Sequence, residues 1–148
     1  MSELSPRQRA WVEVSPTAIE ANCRLLRRQL APGCQLMAVV KADGYGHGAV
    51  TVAKAALRSG ACSLGVATLQ EGLELRDAGI EAPVLILSAL HTPEDLSHCL
   101  ERRLMPTLSS LDEAKTAAAV AAGRGTDRFP VQLKLDTGMG RLGGEWQE

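Results

Sequence analysis

Apolar runs of five or six residues recur along this chain at intervals of roughly 20–27 residues, and a stretch of helical periodicity follows most of them. The runs are residues 35–40, 62–67, 83–87, 104–108 and 131–135. Apolar side chains are nearly continuous within them, the pattern of strands covered on both faces rather than strands with one wet face. Alternation of this kind predicts a parallel α/β arrangement, either a barrel or a doubly wound sheet. A complete (β/α)8 barrel takes about 250 residues. At 148 residues the chain can hold only an incomplete one.

Local signals set the boundaries of the elements. Residues 1–8 read as a disordered lead-in, and residues 9–148 as one domain. Ala10–Val14 alternates apolar and polar residues and predicts a short N-terminal strand. Ser15 followed by Pro16 predicts a helix start, and Ile19, Cys23, Leu26 and Leu30 mark one face of that helix before Pro32-Gly33 ends it. Ala49–Ser59 reads as a helix closed by Gly60. Thr68 with Glu71, and Ser110 with Glu113, have capping-box spacing. Thr92-Pro93-Glu94-Asp95 opens a further helix running to about Arg103. Pro106 falls inside the fourth run and predicts an irregular strand there.

Composition excludes whole classes of function. A net charge of −1 gives no attraction to nucleic acid or to an anionic membrane. No apolar run approaches the length of a membrane-spanning helix, and the polar residues 1–9 lack the apolar core of a signal peptide. A cytoplasmic location is expected. Cys23, Cys34, Cys62 and Cys99 lack metal-ligand spacing and form no cluster with His47, His91 and His98, so buried, reduced thiols and no metal are expected.

Two of the apolar runs end in groups that carry chemistry. The run Leu36-Met37-Ala38-Val39-Val40 stops at Lys41, and Ala42-Asp43-Gly44-Tyr45-Gly46-His47-Gly48 follows. Most lysines are solvated surface charges, but α/β folds place their sites at the carboxyl ends of strands. An amine partly withdrawn from water there suits a Schiff base with a carbonyl cofactor. The glycine spacing is GxGxG rather than GxGxxG, the following strand ends without an acidic residue before Glu71, and no GK[ST] is present. A nucleotide loop is therefore disfavoured. What remains is a loop that closely approaches a small anion, with the Tyr45 hydroxyl available to it. A tight βα turn would account for one glycine but not for three.

The second stretch is Lys134-Leu135-Asp136-Thr137-Gly138-Met139-Gly140-Arg141. Lys134 stands inside an apolar run, where an unpaired ammonium is costly, so pairing or chemical alteration is expected. Arg141 follows a glycine-rich turn at the end of that run and could reach the same mouth as Lys41. A surface loop with an ordinary Asp136–Arg141 pair is the plainer alternative.

VKADGYGHG (residues 40–48) and LKLDTGMGRLG (residues 133–143), in this order and at this separation, strongly resemble the alanine racemase family, pyridoxal-phosphate enzymes of fold type III. The resemblance extends over residues 9–144, with Trp11-Val12-Glu13-Val14, Ser15, Ala18, Ile19 and Asn22 similar to the family's first strand and helix. Gly44 departs from it, since the family usually has alanine there.

The resemblance implies a (β/α)8 TIM-barrel fold, here incomplete, with about five of eight βα units behind a short N-terminal strand. It implies interconversion of L- and D-alanine, supplying D-alanine for peptidoglycan, with pyridoxal 5'-phosphate as cofactor. Lys41 would hold the cofactor as a Schiff base and act as the base on the D face; Tyr45 would contact the phosphate and Arg141 would help bind substrate. Lys134 matches the lysine that many members carry as a carbamate, an anion able to hold Arg141. The full-length enzymes are homodimers whose second base is a tyrosine from a C-terminal β domain of the partner. Tyr45 is the sole tyrosine of this sequence, so the chain reads as an N-terminal fragment, inactive by itself. A related serine or broad-specificity racemase, and a catalytically inactive cofactor-binding fragment, are the alternative readings.

Overall fold

The computed structural model describes residues 10–90 and 92–145. The lead-in expected at residues 1–8 lies outside the described residues. Five parallel strands form one sheet in the order β1-β2-β3-β4-β5. They are β1 (Leu36–Val39), β2 (Ala61–Val66), β3 (Val84–Ala89), β4 (Leu104–Leu108) and β5 (Gln132–Leu133). Helices α3 (Ala49–Arg58), α4 (Leu69–Asp77), α5 (Pro93–Glu101) and α6 (Leu111–Gly123) follow the first four strands, and α1 (Pro16–Arg28) precedes the sheet. Sequential strand order with a helix after each strand is an incomplete barrel, not a doubly wound sheet, whose strand order reverses.

Helix starts follow the local signals. Ser15 caps α1 through Ala18 N, Thr92 caps α5 through Asp95 N, and Ser110 caps α6 through Glu113 N. Thr68 and Glu71 form a complete capping box on α4. Each side-chain oxygen meets an N–H that the helix cannot satisfy itself.

One face of the sheet is sealed. Val40, Leu64, Val66, Val84, Ile86, Leu104 and Leu108 pack on Ala53, Leu75, Leu96, Cys99 and Ala117 from the helices. The register sets Val39 beside Gly65 and Gly65 beside Leu85 on the other face. That face is filled only at its centre. Leu85 is buried, whereas Met37 and Val39 are exposed; Leu133, in register with Leu108 on the helix-bearing face, is exposed as well, because no helix follows β5 among the described residues. Burial on both faces, expected of every strand, thus holds for β3 and fails at the outer strands.

Arg76 locks the amino-terminal end of the sheet. Its Nε donates to Arg102 O (2.8 Å), Nη1 to Ile80 O (2.7 Å) and Ala82 O (2.9 Å), and Nη2 to Arg103 O (2.7 Å). Burial pushes its pKa down, and Arg102 and Arg103 add to the effect.

Five expectations need correction. Ala10–Val14 is not a strand: it pairs with no strand among the described residues, and Trp11 and Val12 are exposed. Its alternation has no ladder to join, and a strand without a partner does not persist. On α1, Ile19 and Cys23 are half-buried, but Leu26 is exposed, and the helix ends at Arg28, which leaves Leu30 exposed beyond it. The fourth run is a continuous strand despite Pro106, because the irregularity falls on its neighbour: register shifts between Ile86 and Ala89, and Thr107 Oγ1 donates to Ile86 O at 2.6 Å. The fifth run is broken at Lys134 into β5 and β6 (Leu135–Asp136), and β6 pairs with β7 (Gly144–Glu145). The four cysteines are free, as expected, but only Cys99 is buried; Cys34 and Cys62 are exposed. Burial and the nearby Asp95 push the Cys99 thiol up to about 12.

Candidate active site

The strands are parallel, so all their carboxyl ends lie at one end of the sheet. Lys41 stands there, half-buried, one residue beyond buried Val40. Val40 N donates to Gly65 O at 2.8 Å, so pairing with β2 persists up to the residue before the lysine.

The segment after Lys41 is not a glycine-permitted loop but a single turn of left-handed helix, α2 (Lys41–Gly46). Ala42 (φ 51°, ψ 51°), Asp43 (53°, 47°), Gly44 (62°, 35°) and Tyr45 (56°, 40°) are consecutive left-handed residues. This conformation costs an L-residue about 1–2 kcal/mol, somewhat less for Asp, so Ala42 and Tyr45 carry real strain.

Hydrogen bonds hold the turn. Gly44 N donates to Val40 O (2.9 Å) and Gly48 N to Asp43 O (2.9 Å). Asp43 Oδ1 accepts from Ala49 N (2.7 Å), capping α3, which has no cap from Gly48. His47 Nδ1 lies 3.0 Å from both Gly44 O and Tyr45 O, and protonated there it donates to them. Ala42 N donates to Glu71 Oε1 at 2.7 Å, across to the β2–α4 connection. The Tyr45 ring is left exposed.

The second stretch lies at the same end of the sheet but on its opposite edge. Four strand spacings separate β1 from β5, about 19 Å along the sheet. Lys134 is half-buried at the break between β5 and β6; its N–H donates to Leu108 O (2.8 Å) and its carbonyl accepts from Gly144 N (2.9 Å). The open face beside it relieves the burial cost that the apolar run implied, so neither an ion partner nor chemical alteration is required by burial alone. Asp136 takes backbone rather than Arg141: Oδ1 accepts from Gly138 N (2.9 Å) and Oδ2 from Gly140 N (2.8 Å). Those two N–H groups hold its carboxyl below the ordinary carboxylate value, helped by Met139 N and the charge of Lys134. Arg141 is exposed and has no ion pair among the described residues. A Cβ on Gly143 (φ 131°) would run into the Leu135 and Asp136 backbone, so the turn closes only with glycine there.

The sequence signals therefore place Lys41 and Tyr45 together on one turn, and Lys134 and Arg141 together on one edge loop. The two pairs share an end of the sheet, with no ion pair between them among the described residues. Two features escaped the sequence: the left-handed twist of residues 42–45, and the reach of Glu71 beyond its own helix. Only the capping-box half of Glu71 had a local signal. Among the described residues no group of His, Cys, Asp and Glu could hold a metal ion. A cleft of about 490 Å³, lined by Arg76, Cys99, Met105 and Phe129, opens at the amino-terminal ends of β3 and β4, away from Lys41.

Comparison with known proteins agrees with this architecture. The Alanine racemase, N-terminal domain family model matches residues 14–148. An alanine racemase of Prochlorococcus marinus is 58% identical over 143 residues, covering 97% of this chain and 37% of its own length. One from a Nostoc species is 51% identical, covering 95% of this chain and 37% of its own. The crystal structure of alanine racemase from E. faecalis superposes with a TM-score of 0.82 at 38% identity, over 88% of this chain and 35% of that one. The Bacillus anthracis alanine racemase with bound L-Ala-P gives 0.83 at 36% identity, over 95% and 36%. The chain thus spans about 37% of the length of the curated relatives it matches. Sequence, sheet order and these likenesses agree: the chain belongs to the alanine racemase N-terminal domain family.

Proposed function

We propose that the protein carrying this chain interconverts L- and D-alanine with pyridoxal 5'-phosphate, and that residues 9–148 supply the first part of its barrel domain. The observation that supports this best is Lys41: a primary amine at the carboxyl end of the first strand, backed by a strained and heavily bonded turn. Strain at such a position persists only where the surroundings hold it, and it gathers at functional sites.

The residues present fit the cofactor. Lys41 offers the amine for covalent attachment, and the exposed hydroxyl of Tyr45, four residues on, offers a donor to its phosphate. The open apolar face at Met37 and Val39 offers a surface for a planar ring. When bound, the cofactor supplies an electron sink for the negative charge that builds on the substrate α-carbon.

The Lys41 amine would remove or return the substrate α-proton on one face. Arg141 binds the substrate carboxylate from the opposite edge, with a guanidinium suited to two parallel hydrogen bonds. Lys134, carried as a carbamate, would present an anion to Arg141 and fix its direction. The reaction needs a second base on the other face, contributed by a partner subunit in a homodimer, and the product serves peptidoglycan synthesis in the cytoplasm. No helix among the described residues is long and apolar enough to cross a membrane.

Borohydride reduction of the intact protein tests this reading. A stable adduct of the cofactor's mass on the peptide containing Lys41, lost in Lys41→Ala together with racemisation of alanine, is expected. An adduct on another lysine, or undiminished racemisation in Lys41→Ala, would overturn it.

A further inference from the structure

We infer that Glu71 is a positioning residue for Lys41: its carboxylate couples the cap of α4 to the strained turn and fixes the direction in which the lysine leaves β1. The inference rests on the role proposed for Lys41, but its geometry stands on bonds within this chain.

Glu71 divides its two oxygens between two βα connections. Oε2 accepts from Ala67 N (2.6 Å) and Thr68 N (3.2 Å), in the connection that leads into its own helix, α4. Oε1 accepts from Ala42 N (2.7 Å) in the neighbouring one. The Ala42 N–H lies in the same rigid peptide plane as the Lys41 carbonyl. Fixing that plane therefore fixes the backbone torsion that follows the Lys41 Cα. On the preceding side, the bond from Val40 N to Gly65 O holds the chain. Lys41 is pinned on both sides, and both anchors belong to the β2–α4 unit.

The molecule contains its own control. Glu113 stands in the same position after β4, where Oε2 accepts from Ser109 N at 2.5 Å and Ser110 caps α6. Among the described residues Glu113 makes no bond to a neighbouring connection. Capping alone thus needs one carboxylate oxygen, and the second oxygen of Glu71 goes to the turn that starts at Lys41. That turn is where support is needed, because Ala42 sits at φ 51°. A charged acceptor gives a stronger hydrogen bond than a neutral one.

The test compares Glu71→Gln with Glu113→Gln in the intact holoenzyme. Glutamine keeps one acceptor oxygen, enough for a cap but not for both connections. Three readouts separate positioning from capping: amide hydrogen exchange at residues 41–46, the pH titration of the visible absorbance of the cofactor on Lys41, and kcat against KM for alanine. Positioning predicts exchange at Ala42 faster by about tenfold or more in Glu71→Gln. It also predicts a displaced absorbance titration, and a kcat lowered about tenfold with KM within twofold, all without a larger fall in Tm than in Glu113→Gln. Equal behaviour of the two variants in all three readouts would overturn the inference. Should Glu71→Gln fail to fold, exchange in the unsubstituted protein decides. The exposed Ala42 amide is expected to be protected as well as that of Ala67, and exchange at the unprotected rate would refute the clamp. A protein that carries no cofactor on Lys41 refutes the proposed function, while the exchange comparison still reads the clamp.

Discussion

Gly44 lies between two strained L-residues, yet compared with Gly46, the turn's other glycine, it has far less room. A Cβ there would meet Val52 Cγ2 at 2.9 Å and the Ala49 backbone at 3.3 Å, and φ is 62°. Gly44→Ala is expected to cost about 1–2 kcal/mol through the left-handed conformation and a forced shift of Val52. Adding Val52→Ala should relieve the steric share but not the conformational one. Urea unfolding of the single and double variants checks this, and full additivity would show that the two sites do not touch. Asp136 makes a prediction of opposite character. Its carboxyl is held below its ordinary value of 3.8 by the N–H groups of Gly138 and Gly140. A depressed folded pKa contributes stability that is present above the unfolded value and lost as pH falls through the folded one. The 136–141 turn should therefore loosen only in acid, below about pH 3.9. An NMR titration should place the Asp136 midpoint below that of an unstructured aspartate, and Asp136→Asn should remove the pH dependence of Gly138 and Gly140 exchange.

At the scale of elements, Ser15, Thr68, Thr92 and Ser110 marked their helix starts correctly because capping is a contract between residues three apart. The middle strands, and the position of Lys41 at the end of β1, were legible for a similar reason, since burial leaves a continuous apolar run. Ala10–Val14 and Val131–Leu135 misled because a strand is completed by a partner far away in sequence, which alternation cannot reveal. The hand of the turn at residues 42–45 was illegible because the glycines pointed to freedom, whereas the strain rests on Ala42, Asp43 and Tyr45. Arg76 was also invisible, since all four of its acceptors are main-chain carbonyls and leave no side-chain pattern. Arg76→Lys keeps the charge but replaces a planar fork with a single point of donation. It is expected to lose at least two of the four bonds and to destabilise the fold by about 2–3 kcal/mol, read as a lower denaturation midpoint with an unchanged m-value.

At the scale of the molecule, the helix-covered face is a finished core from β1 to β4 but lies open at β5, and the opposite face is open at β1. Leu133, Leu135, Met37 and Val39 together expose apolar surface at the two outer strands. A polypeptide of these 148 residues is expected to bind a hydrophobic dye and to self-associate. Leu133→Thr with Leu135→Thr should reduce both, as read by dye fluorescence and size-exclusion chromatography; unchanged dye binding would place the sticky surface elsewhere.

The sheet order has one more consequence. Lys41 and Arg141 follow the two outermost strands, so no contact between them sets their span among the described residues. The span is instead the sum of four rotations between neighbouring strands, each about 20–25°. The sheet behaves as a caliper whose jaws are these two residues. A change of a few degrees at each joint, too small to disturb any single ladder, adds up across four joints to a different opening. Under the roles proposed for Lys41 and Arg141, side chains in the middle of the sheet, such as buried Leu85, set from a distance what fits between the jaws.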